Sequence, residues 1–468
     1  MKQMAHVGEA SGRGGRGEAP GRERAATASR AADAREALNR DVDPRSYPKY
    51  AEWRRLCEEN PGMAPFVIMK LSLTCHGAII SPRAMERLQQ DDYRFGTIPG
   101  EGDEANSFEI EFAGRSTSQV MPGAVVLRDG TFVFINYGEA YEDPYLLDLD
   151  VELGAFVLRE AREGDPAIDV VDFVPRPGIF GRRTSRGTLM DTLVDVRPQK
   201  LIFTAYRTCH FWDRREQCRF CAFFTKGHED PAVDPEDLYE TVHAALEEPG
   251  RFSELYLSGG TDYSGAEPFE REVERYICDL QAMGRDFSGR FPCQLMAPAY
   301  PRHLLERIRR ETGITSYSAD IEVWDRERFR WLCPGKERVV GHDEWVRRTV
   351  DAVEVFGRGN VYTQVVAGAE LAAPHGFETT GEALASNLAG CEYFAERGVN
   401  CLFIVWRPHR RARLGWQPMA PVDYYVRLAQ GFHDIRRAHG LICLDDDYKM
   451  CGNHPCADLE RMDEECWR

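Results

Sequence analysis

Two groups of cysteines carry most of the chemical information in this sequence. The first is Cys209-His-Phe-Trp-Asp-Arg-Arg-Glu-Gln-Cys218-Arg-Phe-Cys221. Three thiolates satisfy three irons of a [4Fe–4S] cubane and leave the fourth iron open to an outside ligand. The close Cys218/Cys221 pair lets one short turn supply two of the three. The same residues suit a structural zinc if a fourth ligand is found, and His210 and His228 are the nearest candidates. The second group is Cys443-x7-Cys451-x4-Cys456-x9-Cys466, in a polar, acidic terminus where four cysteines lack a packing rationale. Four thiolates there suit a second iron–sulfur cluster or a zinc ion, with His454 as an alternative ligand. A thiophilic-substrate site or a redox-active thiol tail are the other readings. Cys57, Cys75, Cys278, Cys293, Cys333, Cys391 and Cys401 are scattered and read as small buried hydrophobes.

Composition narrows the setting. The 468 residues are 43% hydrophobic and 29% charged, the balance of a soluble globular protein. A formal charge of −17 argues against a nucleic-acid partner, which needs a basic footprint. No run approaches the length of apolar sequence that a membrane-spanning helix needs. The N-terminus lacks the apolar centre of a secretory signal, so a cytoplasmic location is expected, with the 14 cysteines reduced. One basic run stands out against the acidic background: Arg407-Pro-His409-Arg410-Arg411-Ala-Arg413. Such a cluster reads either as a solvated basic loop or as a holder for the carboxylate or phosphate of a small-molecule substrate.

These residues need elements to position them. Residues 1–45 are rich in Ala, Gly and Arg, bury too little to offset ordering entropy, and read as a disordered tail. Residues 46–195 read as an α+β accessory domain. Helices are expected at Tyr50–Glu59 and Pro82–Gln90, the latter N-capped by Ser81. Strands are expected at Ser107–Phe112, Ala124–Leu127, Thr131–Tyr137 and Phe156–Glu160, with Asp129-Gly130 as a hairpin turn. Residues 196–440 alternate. Apolar runs at Lys200–Ala205, Glu254–Leu257, Gln294–Ala297, Ser316–Val323, Val361–Val366 and Asn400–Trp406 are each followed by a helical pattern. Those patterns are Pro235–Leu246, Glu270–Met283, Arg302–Arg310, Asp343–Phe356, Glu382–Arg397 and Val422–His439. Asp234 is a candidate N-cap, and Thr379 with Glu382 has capping-box spacing. Six β-α units imply a parallel sheet, read here as a partial (β/α)6 TIM-type barrel. Residues 441–468 form a Cys-rich extension.

In a barrel the active site lies where strands end, and four segments occupy those places. The three-cysteine run, with aromatic Phe220 before its last cysteine, follows the first strand. Ser258-Gly259-Gly260-Thr261-Asp262 follows the second. Ser318-Ala-Asp-Ile-Glu322-Val, then Cys333-Pro-Gly-Lys336-Glu-Arg338, follows the fourth, and Val366-Ala-Gly368-Ala-Glu370 the fifth. Together they resemble the radical S-adenosylmethionine (SAM) superfamily, in the branch containing biotin synthase, the [FeFe]-hydrogenase maturase and methylornithine synthase. The triad departs from the usual C-x3-C-x2-C spacing, and Thr261 stands where the family has Glu.

The resemblance implies roles for these positions. Cys209, Cys218 and Cys221 would bind a [4Fe–4S] cluster, and Gly259, Gly260 and Thr261 would meet the methionyl amine of SAM. Glu322 would meet the ribose hydroxyls, Arg338 the carboxylate, and Gly368 the adenine, with Phe220 and Ser318 also in the cofactor site. It further implies reductive cleavage of SAM to start radical chemistry on a small molecule, in a biosynthetic setting, with flavodoxin or ferredoxin as electron donor. The competing readings are a non-radical zinc-dependent hydrolase or lyase on a barrel, and a metal-stabilised binding module.

Overall fold

The structure is a computed structural model, and its described residues are 46–90, 107–112, 115–120, 124–135, 143–173, 177–197, 199–222, 232–409, 411–441 and 454–459. The expected N-terminal tail lies outside them, as do His228, Arg410, Cys443, Cys451 and Cys466.

The first part of the chain builds two helices, α1 (Pro48–Glu59) and α2 (Pro65–His76), each opening on a proline that fits the first helical turn. Strand β1 (Ala78–Ile80) and α3 (Pro82–Gln90) follow, and Ser81 Oγ accepts from the Ala84 N–H at 3.1 Å to cap α3. β2 (Ser107–Phe112) and β3 (Arg115–Val120) form a separate antiparallel pair. Five more strands complete a mixed sheet: β4 (Ala124–Leu127), β5 (Phe132–Phe134), β6 (Tyr145–Asp150), β7 (Ala155–Arg159) and β8 (Ala167–Asp172), in the order β1-β6-β7-β8-β4-β5. Asp129-Gly130 makes the expected hairpin between β4 and β5. Gly130 takes a φ of +90°, and Asp129 Oδ1 accepts from the Thr131 N–H at 2.9 Å. Helix α2 has no counterpart in the sequence reading. Eight consecutive residues, Val67 to Thr74, are buried, so it shows no polar face and no amphipathic period.

A short strand, β9 (Val194–Val196), pairs antiparallel with β10 (Lys200–Tyr206) and leads into a second sheet. Five parallel strands follow: β11 (Glu254–Gly259), β12 (Phe291–Met296), β13 (Ile314–Ser318), β14 (Val361–Ala367) and β15 (Val399–Val405). Helices α4 (Pro235–Leu246), α5 (Glu270–Met283) and α6 (Arg302–Thr312) connect the first four parallel strands. The fourth connection carries α7 (Arg326–Leu332), α8 (Pro334–Val339) and α9 (His342–Phe356). Helix α10 (Thr380–Glu396) precedes β15, and α11 (Val422–Ala438) follows it.

The order of the sheet is the order of the chain, with no reversal. Right-handed crossovers then put every connecting helix on one face, so the sheet curls around the other. A doubly wound sheet would reverse its order partway; this fold is a partial TIM-type barrel. Caps placed from sequence are present. Asp234 Oδ1 accepts from the Glu236 N–H at 2.9 Å, and Thr379 with Glu382 forms a complete capping box. No helix among the described residues is long and apolar enough to cross a membrane.

One strand differs from expectation. The apolar run Ser316–Val323 reads as continuous strand, but β13 stops at Ser318. The chain then turns, and Glu322 rejoins β14 through a single bridge to Val365 with a left-handed φ of +66°. Near the C-terminus, residues 455–459 are helical and 454–459 are buried throughout. The segment is fixed by a buried ion pair between Lys70 of α2 and Asp458, and by His454 Nδ1 at 3.2 Å from the Phe403 carbonyl on β15.

Candidate functional site

All six parallel strands run the same way, so their C-terminal ends share one edge of the sheet. The β10–β11 register pairs Tyr206 with Gly259, which sets the cysteine loop beside the glycine pair. The loop is tied to that neighbour by the His210 N–H, which donates to the Thr261 carbonyl at 2.8 Å. Within the loop, the Trp212 N–H donates to Cys209 O at 2.9 Å, Glu216 N–H to Phe211 O at 2.7 Å, and Cys221 N–H to Cys218 O at 3.1 Å. Phe211 stacks on Tyr263 with ring centroids 5.4 Å apart. Cys209, Cys218 and Cys221 are all partly buried, and Phe220 packs its ring against the core. Burial pushes the Cys209 thiol up to about 11, with the backbone N–H groups of Phe211 and Thr261 opposing the rise. A bound cation would reverse that balance, since a metal takes the thiolate.

Gly260 shows how close the two loops lie. A Cβ added there would stand 1.9 Å from the Thr208 carbonyl oxygen and 2.9 Å from the Cys209 nitrogen. Only glycine allows this approach of one backbone to another. Gly259 is similarly confined, against Tyr206 N and the Tyr276 hydroxyl.

The other side of the cysteine loop rests on the α7–α8 corner. The Arg219 N–H donates to the Leu332 carbonyl at 2.8 Å, Arg219 Nε to the Trp331 carbonyl at 2.7 Å, and the Gly335 N–H to the Glu216 carbonyl at 2.9 Å. This corner holds Cys333 and Lys336. Cys333 is fully buried, and burial followed by the neighbouring Cys218 thiol drives its thiol far above the ordinary range. Lys336 Nζ donates to Glu322 Oε1 at 2.6 Å and to the Asp320 carbonyl at 2.8 Å, and lies 4.4 Å from the centre of the Trp345 ring. Burial by itself lowers the Lys336 ammonium, but Glu322, then Cys218 and Cys333, outweigh it and the net direction is upward. Burial, with Glu322 beside it, pushes Asp320 up to about 7, while the hydrogen bond from Ser318 Oγ at 2.7 Å opposes the shift. The left-handed backbone at Glu322 carries a cost of roughly 1–3 kcal/mol. It is held there by hydrogen bonds of its N–H to Gln364 O and of the Val366 N–H to its own carbonyl, each 2.8 Å.

The structure thus brings Cys209, Cys218, Cys221, Phe220, Gly259, Gly260, Thr261, Ser318 and Glu322 to one edge. Arg338 pairs with Glu216 of the cysteine loop at 2.7 Å and lies over the Tyr263 ring. Gly368 ends β14 at a φ of +101°, where a Cβ would meet the Tyr425 hydroxyl at 2.5 Å. Buried Glu370 fixes this turn by accepting from the Gly368 N–H at 2.8 Å and from Asn387 at 3.0 Å. In the basic run, Arg413 donates to the Arg215 carbonyl at 2.7 Å and the Leu414 N–H to the Arg219 carbonyl at 3.1 Å, so this run also seats on the cysteine loop. The second cysteine group contributes only Cys456 to the described residues, where it is completely buried. Lys336 and Asp320 carry no sequence-derived role. The Cys333-Pro-Gly-Lys336 corner was the available signal, but its pairing with Glu322 depends on a turn that the apolar run concealed.

Three thiols on one loop could serve a cubane or, with a fourth ligand, a zinc ion, and of the two candidate histidines only His210 is among the described residues. Both ring nitrogens of His210 are engaged, Nδ1 with Asp262 at 3.1 Å and Nε2 with the Tyr206 hydroxyl at 3.0 Å. A zinc needs its ligands about 2.0–2.3 Å from a single centre; a cubane is wider and carries each thiolate on a different iron.

Fold and site together define a partial barrel whose first strand ends in a three-cysteine loop packed on a glycine pair. Known proteins give that description relatives, although no family model matches the chain. The chain is 23% identical over 270 residues to the bacteriochlorophyllide c C-7(1)-hydroxylase of Chlorobaculum limnaeum, an alignment covering 54% of the chain and 64% of that relative's length. Solved structures similar to it include HydG, a maturase of the [FeFe]-hydrogenase, at TM-score 0.39 and 14% identity, covering 50% of the chain and 49% of HydG. A radical SAM methyltransferase from Sphaerobacter thermophilus matches at TM-score 0.38 and 15% identity, covering 65% of the chain and 79% of the methyltransferase.

Proposed function

We propose that this chain is a radical SAM enzyme, in which Cys209, Cys218 and Cys221 hold a [4Fe–4S] cluster and the neighbouring strand ends hold SAM. The observation that carries this reading is the clamping of the cysteine loop between two segments. The glycine pair binds one side through Thr261, and the corner that carries the Glu322 partner binds the other through Leu332 and Gly335. Three thiols, a side-chain-free backbone and a carboxylate are the contacts that a site-differentiated cluster, an amino acid moiety and a ribose require.

When bound, the reduced cluster and SAM supply reductive cleavage of a carbon–sulfur bond and so start radical chemistry on a substrate. The chain's residues set the conditions. Gly259 and Gly260 let the end of β11 pack directly against the backbone of Tyr206, Thr208 and Cys209, which fixes the cysteine loop. Glu322, fixed by its backbone and by Lys336, offers an acceptor to hydroxyl donors. Phe211, Tyr263 and Phe220 wall the cysteine loop with aromatic surface and limit water. Arg407 and Arg411, after β15, would meet a small anionic substrate. The reducing equivalents would come from flavodoxin or ferredoxin in the cytoplasm, and the product would belong to a biosynthetic route.

The test is anaerobic reconstitution with iron and sulfide, then dithionite and SAM, with analysis for methionine and 5′-deoxyadenosine. Cleavage dependent on the cluster is expected. A fully loaded cluster that leaves SAM intact under reduction would overturn the proposal.

A further inference from the structure

We propose that Lys336 is a positioning residue for SAM: it ties down one oxygen of the Glu322 carboxylate so that the other faces the ribose diol. This rests on the reading of the site as a SAM enzyme and adds a residue and a selection rule to it.

The pair is not a surface ion pair. The Lys336 side chain is 11% exposed and that of Glu322 17%. An ammonium taken out of water needs its donors satisfied, and Lys336 spends them on Glu322 Oε1 and the Asp320 carbonyl, with the Trp345 ring face beside it. Glu322 Oε2 has no hydrogen-bond partner among the described residues. Meanwhile the Glu322 backbone is locked to β14 on both sides in a conformation that an L-residue rarely adopts. Side chain and backbone are therefore fixed before any ligand arrives, which removes ordering cost from binding.

The placement of Lys336 gives the pair a second property. It lies one residue beyond Gly335, whose N–H is bonded to Glu216 in the cysteine loop. A Cβ on Gly335 would strike the Phe211 ring at 2.4 Å, so that contact has no slack. Lys336 thus links the proposed ribose acceptor to the loop that carries the thiols. An ionised carboxylate accepts and never donates. The site is then selective for a nucleoside carrying free ribose hydroxyls, and a 2′-deoxyadenosyl analogue of SAM should bind at least about tenfold more weakly, the loss of one charge-assisted hydrogen bond.

The test uses anaerobically reconstituted full-length protein, titrated with SAM and followed by the electron paramagnetic resonance of the reduced cluster. Lys336→Met should weaken SAM binding about tenfold or more. Iron should stay at the wild-type level, and the cluster spectrum without SAM should be unchanged. Lys336→Arg should bind within about threefold of wild type, a rescue that mere space-filling does not explain. In a Glu322→Gln background, Lys336→Met should add no further loss, because the two residues act as one unit. Should Lys336→Met fail to load iron, Lys336→Gln, which keeps a donor toward the Asp320 carbonyl, must show the same loss. Wild-type affinity in an iron-replete Lys336→Met or Lys336→Gln protein, or losses from Lys336 and Glu322 variants that multiply, would overturn the inference alone. A wild-type protein with a full cluster and no SAM binding would overturn the functional reading beneath it.

Discussion

Gly260→Ala is the sharpest perturbation the site offers. The new methyl would lie 1.9 Å from Thr208 O, 2.4 Å from Thr208 C and 2.9 Å from Cys209 N, against an ordinary contact of 3.4 Å or more. The shortfall is about 1.5 Å, and every atom it meets is backbone, so no rotamer change relieves it. Overpacking of this kind costs typically about 1–3 kcal/mol, which a chain of this size can survive. The cluster is less tolerant. Metal–ligand distances hold to about ±0.2 Å, and even half of the required shift taken by the Cys209 backbone exceeds that. Gly260→Ala should therefore fold, unfold a few degrees earlier, and lose most of its iron on anaerobic reconstitution, measured as iron per chain and visible absorbance. Gly381→Ala is the control: its nearest contact is Thr379 Oγ1 at 3.8 Å in α10, and it should load iron normally and gain up to about 1 kcal/mol. A Gly260→Ala protein with a full cluster would show that the glycine pair does not set the position of Cys209.

Cys209→Ala, Cys218→Ala and Cys221→Ala should each abolish the site-differentiated cluster; a triple alanine variant with an unchanged cluster spectrum and normal SAM cleavage would reject the assignment. The same triple variant tests Cys443, Cys451, Cys456 and Cys466: about four irons left would mark a second cubane and about one zinc a structural site, while no metal would reject both. Asp458→Ala should destabilise the fold by about 3–5 kcal/mol in urea, because it strands buried Lys70; Lys70→Met combined with Asp458→Leu should recover most of that loss, and failure to recover would show that the ion pair is not the cause. Burial pushes Glu272 up to about 8 from an ordinary 4.5, against hydrogen bonds from Tyr300 and the Asp262 backbone. The folded state then holds the extra proton between those values, so this residue's contribution to stability declines as pH rises through that window, by up to about 1.4 kcal/mol per unit. Glu272→Gln should flatten the slope of unfolding free energy between pH 5.5 and 7.5, and parallel slopes for variant and wild type would refute it.

Much of the barrel is legible in the sequence because its signals are local. Helices α4 and α5 begin and end where periodicity and caps place them, and Asp234 and the Thr379–Glu382 box work through contacts within three residues. The parallel strands show as apolar runs for the same reason: each is a short segment with helices on one face and the barrel interior on the other, and burial of both faces leaves a continuous signature. Local signals fail where burial is complete or where the backbone departs from regular geometry. Helix α2 is hidden because it has no wet face, and the end of β13 is hidden because Ile321 and Val323 remain buried after the strand has stopped. What tertiary structure alone decided is the meeting of distant residues. Strand register brings Thr208 against Gly260, a left-handed turn brings Glu322 to Lys336, and packing of the two ends of the chain brings Lys70 to Asp458. Residue types and spacing name which groups could do chemistry. Which of them touch is set by crossovers and sheet order, and those energies belong to contacts that no local window of sequence contains.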